Sequence, residues 1–290
     1  MRLVTYRSTA GERPAALVVG PDGTDRVLDL SAVCGAVPLA RVLADDSALG
    51  SARAAVAAAD PTQLPTLDPR LLAPPVRPSK ILCVGYNYAG HAETGGTERP
   101  EHPNVFVKTP NVLRGPTEPV VLPRASRQPD YEGEIAVVIG RAAYEVPEAE
   151  ALAHVAGYTL FDDVSDREWQ ARSSQWTLGK SFDGFGPLGP WVVTADEVGD
   201  LGGRELEVER NGVVTVRAST DAMVFGVAFL VHYLSSVMTL EPGDVISTGT
   251  PARSDEAHAV HTPLADGDTV TVRVTGLGQL TTRFVSAPAS

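Results

Sequence analysis

Cysteine is nearly absent from this chain. Cys34 and Cys83 are its two cysteines, they lie far apart, and neither belongs to a C-x-x-C pair. A disulfide framework and a zinc ribbon are therefore both unsupported, and Cys83, inside Ile81-Leu82-Cys83-Val84, reads as a small buried hydrophobe. Long apolar runs are missing as well. No window of about 18 uninterrupted apolar residues occurs, and Met1-Arg2-Leu3-Val4-Thr5-Tyr6 opens no apolar secretory core, so the expectation is a cytoplasmic protein without a membrane partner. Basic residues are in short supply: 24 Lys and Arg stand against 36 Asp and Glu, for a net charge of -12. That balance excludes a sequence-independent grip on nucleic acid, which depends on neutralising phosphates. What remains, 43% hydrophobic and 21% charged residues over 290 positions, is ordinary globular composition with enough chain for one large domain or a small and a large one.

Residues 1 to 32 alternate short apolar runs around Pro21-Asp22-Gly23 and read as a hairpin, followed by short helices near Leu39–Leu43 and Ala52–Ala59. Six prolines between Asp60 and Ser79 remove amide donors and discourage helix, which predicts a small N-terminal domain with a proline-rich linker over residues 1–75 and a main domain over 76–290. In the main domain, strands are expected at Lys80–Gly85, Asn104–Lys108 and Val155–Phe161, with a polar Gly/Pro segment from Thr94 to Pro103 as a candidate mobile loop. Ser165 and Glu168 have capping-box spacing, so a helix is expected from Ser165. Asn211-Gly212 predicts a hairpin, and Ser219-Thr220-Asp221 offers N-caps for a helix from about Ala222 to Met238, in which His232 has no assigned role. Gly184, Gly186 and Gly189 match a dinucleotide fingerprint by spacing alone, but Pro187 and Pro190 forbid the helix that must follow it. Few strand-helix-strand units alternate, which favours an α+β, β-rich roll or sandwich over a doubly wound sheet.

The most informative stretch is Asp130-Tyr131-Glu132-Gly133-Glu134, which leads into Ile135-Ala136-Val137-Val138-Ile139. A strand's period of two sends Glu132 and Glu134 to one face, where they repel unless a cation lies between them. Hard carboxylate oxygens suit Mg²⁺, Mn²⁺ or Ca²⁺. On its own, E-x-E more commonly marks a solvated strand edge. Further along, Asp162 and Asp163 sit at a strand end, a good place for a ligand-binding carboxylate.

The ordered set of Gly85-Tyr86-Asn87-Tyr88 with His91, Tyr131-Glu132-Gly133-Glu134, Gly157-Tyr158, Asp163-Val164-Ser165-Asp166-Arg167 with Gln170, Gly179-Lys180-Ser181-Phe182-Asp183, Gly189-Pro190-Trp191, Asn211-Gly212, Pro242-Gly243-Asp244 and Thr248-Gly249-Thr250-Pro251 resembles the fumarylacetoacetate hydrolase family over Lys80 to Val285. The resemblance implies a mixed β-sandwich roll preceded by a small N-terminal domain, usually as a homodimer. It also implies a divalent-metal enzyme, Mg²⁺ first, acting on a 2-oxo or dicarbonyl acid as a C–C bond hydrolase of acylpyruvate type, a decarboxylase or a hydratase/isomerase. A non-catalytic metal- or ligand-binding relative is the reading from another class. Carried over residue by residue, the metal ligands are Glu132, Glu134 and Asp163. Lys180 is the cation near the metal, Arg167 a fork for a substrate carboxylate, Gln170 and Thr250 orienting groups, and His91 the base that activates water.

Two positions depart from the family pattern. Hydrolytic relatives carry a glutamate three residues after this histidine, where position 94 is threonine. Glu93, at i+2, either reaches His91 through a shorter loop or leaves it without a dyad partner. In Pro251-Ala252-Arg253, relatives often have glycine where Arg253 stands, and an arginine there either contacts an anionic substrate or faces solvent.

Overall fold

The apolar run after Glu134 becomes the central strand of the molecule, Gly133–Ile139, and every residue of it is buried. In the computed structural model, which describes residues 1–91 and 100–288, this strand belongs to an eleven-stranded mixed sheet. Nine of those strands follow in the order Asp25–Asp29, Gly11–Val19, Arg2–Ser8, Gly186–Thr194, Val155–Asp162, Gly133–Ile139, Val245–Ser247, Ile81–Gly85 and Asn104–Lys108. The N-terminal strands belong directly to this same sheet, with Arg2 opposite Val193 and Leu3 opposite Val192. The proline-rich stretch crosses the same sheet: Leu72–Ala73 pairs with Arg2–Ser8, and Thr5 Oγ1 donates to the Pro75 carbonyl at 2.8 Å.

A second, five-stranded sheet runs in the order Val213–Ser219, Glu205–Arg210, Thr269–Val274, Gly278–Ser286 and Val120–Leu122. Alternation along the central strand explains the layers. Ile135, Val137 and Ile139 join Val208, Val270, Val272 and Leu280 of the second sheet in one buried cluster. Ala136 and Val138 point the other way, into a cluster with Leu39, Val42 and Ala52 of the N-terminal helices Leu39–Leu43 and Asp46–Ala58. Burying both faces of a sheet demands a continuous apolar strand, and the sequence supplies one. The result is the β-rich α+β sandwich expected from the motif order.

The hairpin at Asn211-Gly212 forms, with both residues at positive φ, 52° and 83°, as a tight two-residue turn requires. Two helix expectations change. Ser165 lies in a two-residue strand, and the helix after it, Arg167–Gln170, is capped by Asp166, whose carboxylate accepts from Trp169 N. The helix expected over 222–238 is shorter, Val227–Ser235. Asn87 captures the chain ahead of it, accepting from Phe225 N through Oδ1 and from Val224 N through its carbonyl, and Ser219 caps only the short 3₁₀ turn Thr220–Ala222. The segment 92–99, which contains Glu93 and most of the candidate loop, lies outside the described residues. Both cysteines are free, and no helix among the described residues is long and apolar enough to cross a membrane.

Candidate metal centre

Strand register assembles the acidic site. Gly133 pairs with Asp162 and Glu134 with Phe161, and the amide of Asp163 donates to the Glu132 carbonyl at 2.8 Å, which sets Asp163 beside the two glutamates. The glycine between them has a steric reason. A Cβ there would come within 2.6 Å of Val208 Cγ2 and 2.7 Å of Val272 Cγ2, so only glycine lets the second sheet close against this strand while both carboxylates face away from it. One ligand atom from each of Glu132, Glu134 and Asp163 lies within 4.8 Å of the others.

Cations surround two of the three carboxylates. Lys180 Nζ bridges Glu132 Oε2 at 2.6 Å and Asp163 Oδ2 at 2.8 Å, and Lys108 Nζ reaches Asp163 Oδ1 at 2.5 Å and the Val164 carbonyl at 2.9 Å. Arg167 Nη2 lies 2.6 Å from Glu132 Oε1. Burial by itself would raise the pKa of Glu132, but Arg167 and Lys180 outweigh it and hold this carboxyl well below the usual range. Glu134 goes the other way. Burial and the neighbouring charges of Asp163 and Glu132 push it well up, and its Oε2 receives only neutral donors, the Ser247 hydroxyl at 2.5 Å and the Gly249 amide at 2.8 Å. Among the described residues no lysine or arginine forms an ion pair with Glu134. A buried carboxylate beside two others, served only by neutral donors, is a fit for a hard divalent cation, and the all-oxygen donor set suits Mg²⁺, Mn²⁺ or Ca²⁺.

Next to the triad, Asp130 collects a second set of charges. Arg167 binds its Oδ2 through Nε at 2.9 Å and Nη2 at 2.8 Å, Arg253 Nη2 binds its Oδ1 at 2.5 Å, and His261 Nε2 lies 3.2 Å from Oδ1. Burial favours the neutral acid here too, yet Arg167, His261 and Arg253 keep Asp130 ionised far below the ordinary range. Arg167, expected to face a substrate carboxylate, thus spends its donors on Asp130 and Glu132, with Gln170 Oε1 accepting from its Nη1 at 2.9 Å. Among the described residues Lys108, Lys180, Arg167 and Arg253 pair with Glu132, Asp163 and Asp130, and none of them pairs with Glu134. A divalent cation added to this set would leave a positive excess for an anionic ligand to offset.

Beside these groups is a cavity of about 230 Å³ whose wall includes His91, Glu132, Glu134, Lys180, Thr250 and Arg253. His91 Nδ1 lies 2.7 Å from the Thr250 carbonyl. A carbonyl can only accept, so Nδ1 carries the proton and Nε2 is the basic nitrogen. Burial lowers the pKa of His91 and so favours the neutral ring, an effect that Glu132 partly offsets. Thr250 thus acts on the site through its backbone carbonyl, which orients His91. Aromatic rings form another part of the wall. Trp176 meets Tyr86 and Phe106 edge-on at 5.5 and 5.4 Å, in space left by Gly85, where a Cβ would fall 2.7 Å from the indole.

Of the residues singled out in the sequence, Glu132, Glu134, Lys180, Arg167, Gln170, His91 and Thr250 line this cavity, and Asp163, fully buried, stands against the two glutamates. Missed were Lys108, visible only as the last residue of a short strand, the hub role of Asp130, and Trp176. A lysine ending an apolar strand was the one available signal for the first.

Residues 80–285 match the family model described as fumarylacetoacetate (FAA) hydrolase, C-terminal. A protein of Burkholderia ambifaria (strain MC40-6), named provisionally as a hydrolase, is 43% identical over 286 residues, which is 96% of this chain and 97% of that one. Among solved structures, 5-carboxymethyl-2-hydroxymuconate delta-isomerase from Mycobacterium smegmatis is similar over 100% of both chains, with a TM-score of 0.75 and 33% identity. Maleylpyruvate hydrolase from Sphingobium sp. SYK-6, solved with manganese(II) ion and pyruvate, is similar over 99% of this chain and 100% of its own, with a TM-score of 0.79 and 29% identity.

Proposed function

The chain belongs to the fumarylacetoacetate hydrolase family, and from that premise we propose that it is a divalent-cation-dependent hydrolase cleaving a C–C bond of an acylpyruvate-like or β-dicarbonyl 2-oxo acid. Glu132, Glu134 and Asp163 would hold the cation, with Mg²⁺ as the first candidate. Bound there, it would supply Lewis-acid stabilisation of the enolate charge that develops as the bond breaks.

The protein's own residues divide the remaining work. Burial would depress the Lys180 pKa, but Asp163 and Glu132 raise it well above the ordinary lysine value, so Lys180 serves as a fixed cation and not as a base. Arg167 is likewise held charged against burial by Glu132 and Asp130. Asp162, raised by burial to about 7, does not line the cavity. With Glu132, Glu134 and Asp163 committed to the cation, the base assigned here is His91, whose Nδ1 is fixed on the Thr250 carbonyl. Its Nε2 would accept one from a water molecule as the water oxygen bonds to the distal carbonyl carbon. Collapse of that adduct breaks the C–C bond, leaves an acid, and sends the electron pair into the enolate of the 2-oxo acid, which is protonated at carbon to finish the turnover.

The observation that carries this proposal is the Nδ1 to Thr250 carbonyl bond, which presents an unprotonated Nε2 in the same cavity as Glu132 and Glu134. The test is to incubate Mg²⁺- or Mn²⁺-loaded protein with acylpyruvates, oxaloacetate and unsaturated 2-oxo acids and to identify the products. The expected products are two acids, one of them pyruvate or a near analogue. Activity that survives exhaustive chelation would sink the metal-dependent reading. Threonine at position 94 and the likeness to the delta-isomerase favour a second reading, isomerisation or decarboxylation without an activated water. Replacing His91 by alanine separates the two, because only the hydrolase needs a base for water.

A further inference from the structure

The cavity holds one guanidinium whose charge is poorly matched. Asp130 serves both Arg167 and Arg253. Arg167 has a second carboxylate in Glu132, whereas the other acceptor of Arg253 is the neutral carbonyl of Tyr131, at 3.0 Å. Among the described residues Arg253 finds no second carboxylate, and its Nε is buried without a hydrogen-bond partner.

Arg253 is also held in place. Its guanidinium carbon stands 4.5 Å from the centre of the Tyr131 ring, and the Tyr131 hydroxyl is anchored on Thr215 Oγ1 at 2.9 Å. The next residue, Ser254, donates its amide to the Thr215 carbonyl at 3.0 Å. The side chain keeps 15% exposure and lines the cavity beside Ala252 and His258. A guanidinium fixed on an aromatic face, with donors to spare at a cavity wall, is preorganised to receive a planar anion.

Resting on the 2-oxo acid reading above, we infer that Arg253 determines specificity by receiving a second carboxylate of the substrate, remote from the 2-oxo acid group that meets the acidic triad. The preferred substrates are then 2-oxo acids with two carboxylates, and a neutral chain end of equal length is a poor replacement.

The test uses unreactive probes, so that it does not depend on turnover. Binding of 2-oxoglutarate against 2-oxopentanoate, and of 2-oxoadipate against 2-oxohexanoate, is measured by calorimetry on the Mg²⁺-loaded protein and on R253Q and R253K. In at least one pair the dicarboxylate should bind about 10- to 100-fold more tightly to the wild type, the size of a charge-assisted contact. R253Q should erase that preference while leaving the monocarboxylate within about threefold, and R253K should retain part of it through its charge. Equal binding of both members of each pair to the wild type, or an equal loss of both in R253Q, overturns the role of Arg253 and leaves the 2-oxo acid reading standing. Failure of all four probes to bind overturns both. A clear preference without turnover of any acylpyruvate keeps the subsite and removes the hydrolase.

Discussion

The inner and outer parts of the cavity are built on different terms. The inner set stands on the large sheet and the segments packed against it, and it is dry: the side chains of Asp163 and Lys108 have no exposure and that of Lys180 has 2%. The outer set, with Arg167 at 32% and Arg253 at 15%, borders solvent. Charges taken out of water must be matched nearly one for one, because an unpaired buried charge costs several kcal/mol. Charges at a wet wall tolerate imbalance, and an imbalance is what a ligand can use. The difference teaches that the inner carboxylates belong to the fold as much as to the chemistry, whereas the outer cations, though tied to the buried Asp130, border solvent where a ligand can meet them.

Substitutions should separate the two sets, beginning with the innermost residue. Asp163→Ala leaves Lys108 and Lys180 buried with less carboxylate to pair with, so unfolding in denaturant should show a loss of about 3–5 kcal/mol, together with loss of divalent-cation binding. A variant as stable as the wild type would erase the distinction between the sets. His91→Ala should do the reverse: turnover falls by about 10²–10⁴-fold, the usual worth of a general base, while cation binding and melting temperature stay near wild type. If cation binding falls with turnover, His91 belongs with the inner set.

Gly133→Ala attacks the inner set from behind. The new methyl meets Val208 and Val272 of the second sheet, and overpacking of this kind costs about 1–3 kcal/mol. A matching loss of cation affinity would show that closure of the two sheets sets the spacing of Glu132 and Glu134.

The smallest effect concerns pH. Because burial holds the pKa of His91 below that of a free imidazole, the acid limb of kcat/KM should fall below about 6.5, the ordinary imidazole value. The stability contribution has the corresponding sign: the unfolded chain takes up a proton near about 6.5 while the folded ring stays neutral, so stability tied to His91 is present above that pH and is lost as pH falls toward the folded value. A limb at or above 6.5 would place the base elsewhere.

Parts of the site were legible in advance because they are local. Period two along a strand sends Glu132 and Glu134 to one face without reference to any other residue, and the β-branched run after them identifies a buried strand. The order of the short motifs then pointed to Asp163, Lys180 and Arg167. Helix boundaries were less legible where a distant side chain intervenes: Asn87, far back in the chain, takes the amide of Phe225 and delays the helix that Ser219 was expected to cap. Lys108 and Asp163 are 55 residues apart, and Asp130 and Arg167 are 37 apart. No periodicity reports such pairings, since they exist only after distant strands have been laid side by side.

The sequence by itself determined the acidic face of the central strand, the glycine that separates its two glutamates, the hairpin at Asn211-Gly212 and the absence of disulfide or zinc-ribbon scaffolding, all consequences of local stereochemistry and residue type. Tertiary structure alone decided which charges meet. It gave Glu132 two cations and Glu134 only neutral donors, turned Thr250 into a backbone acceptor that orients His91, and brought Arg253 to the cavity wall with half a carboxylate to itself. Electrostatic character depends on distance and burial, and both are properties of the folded chain.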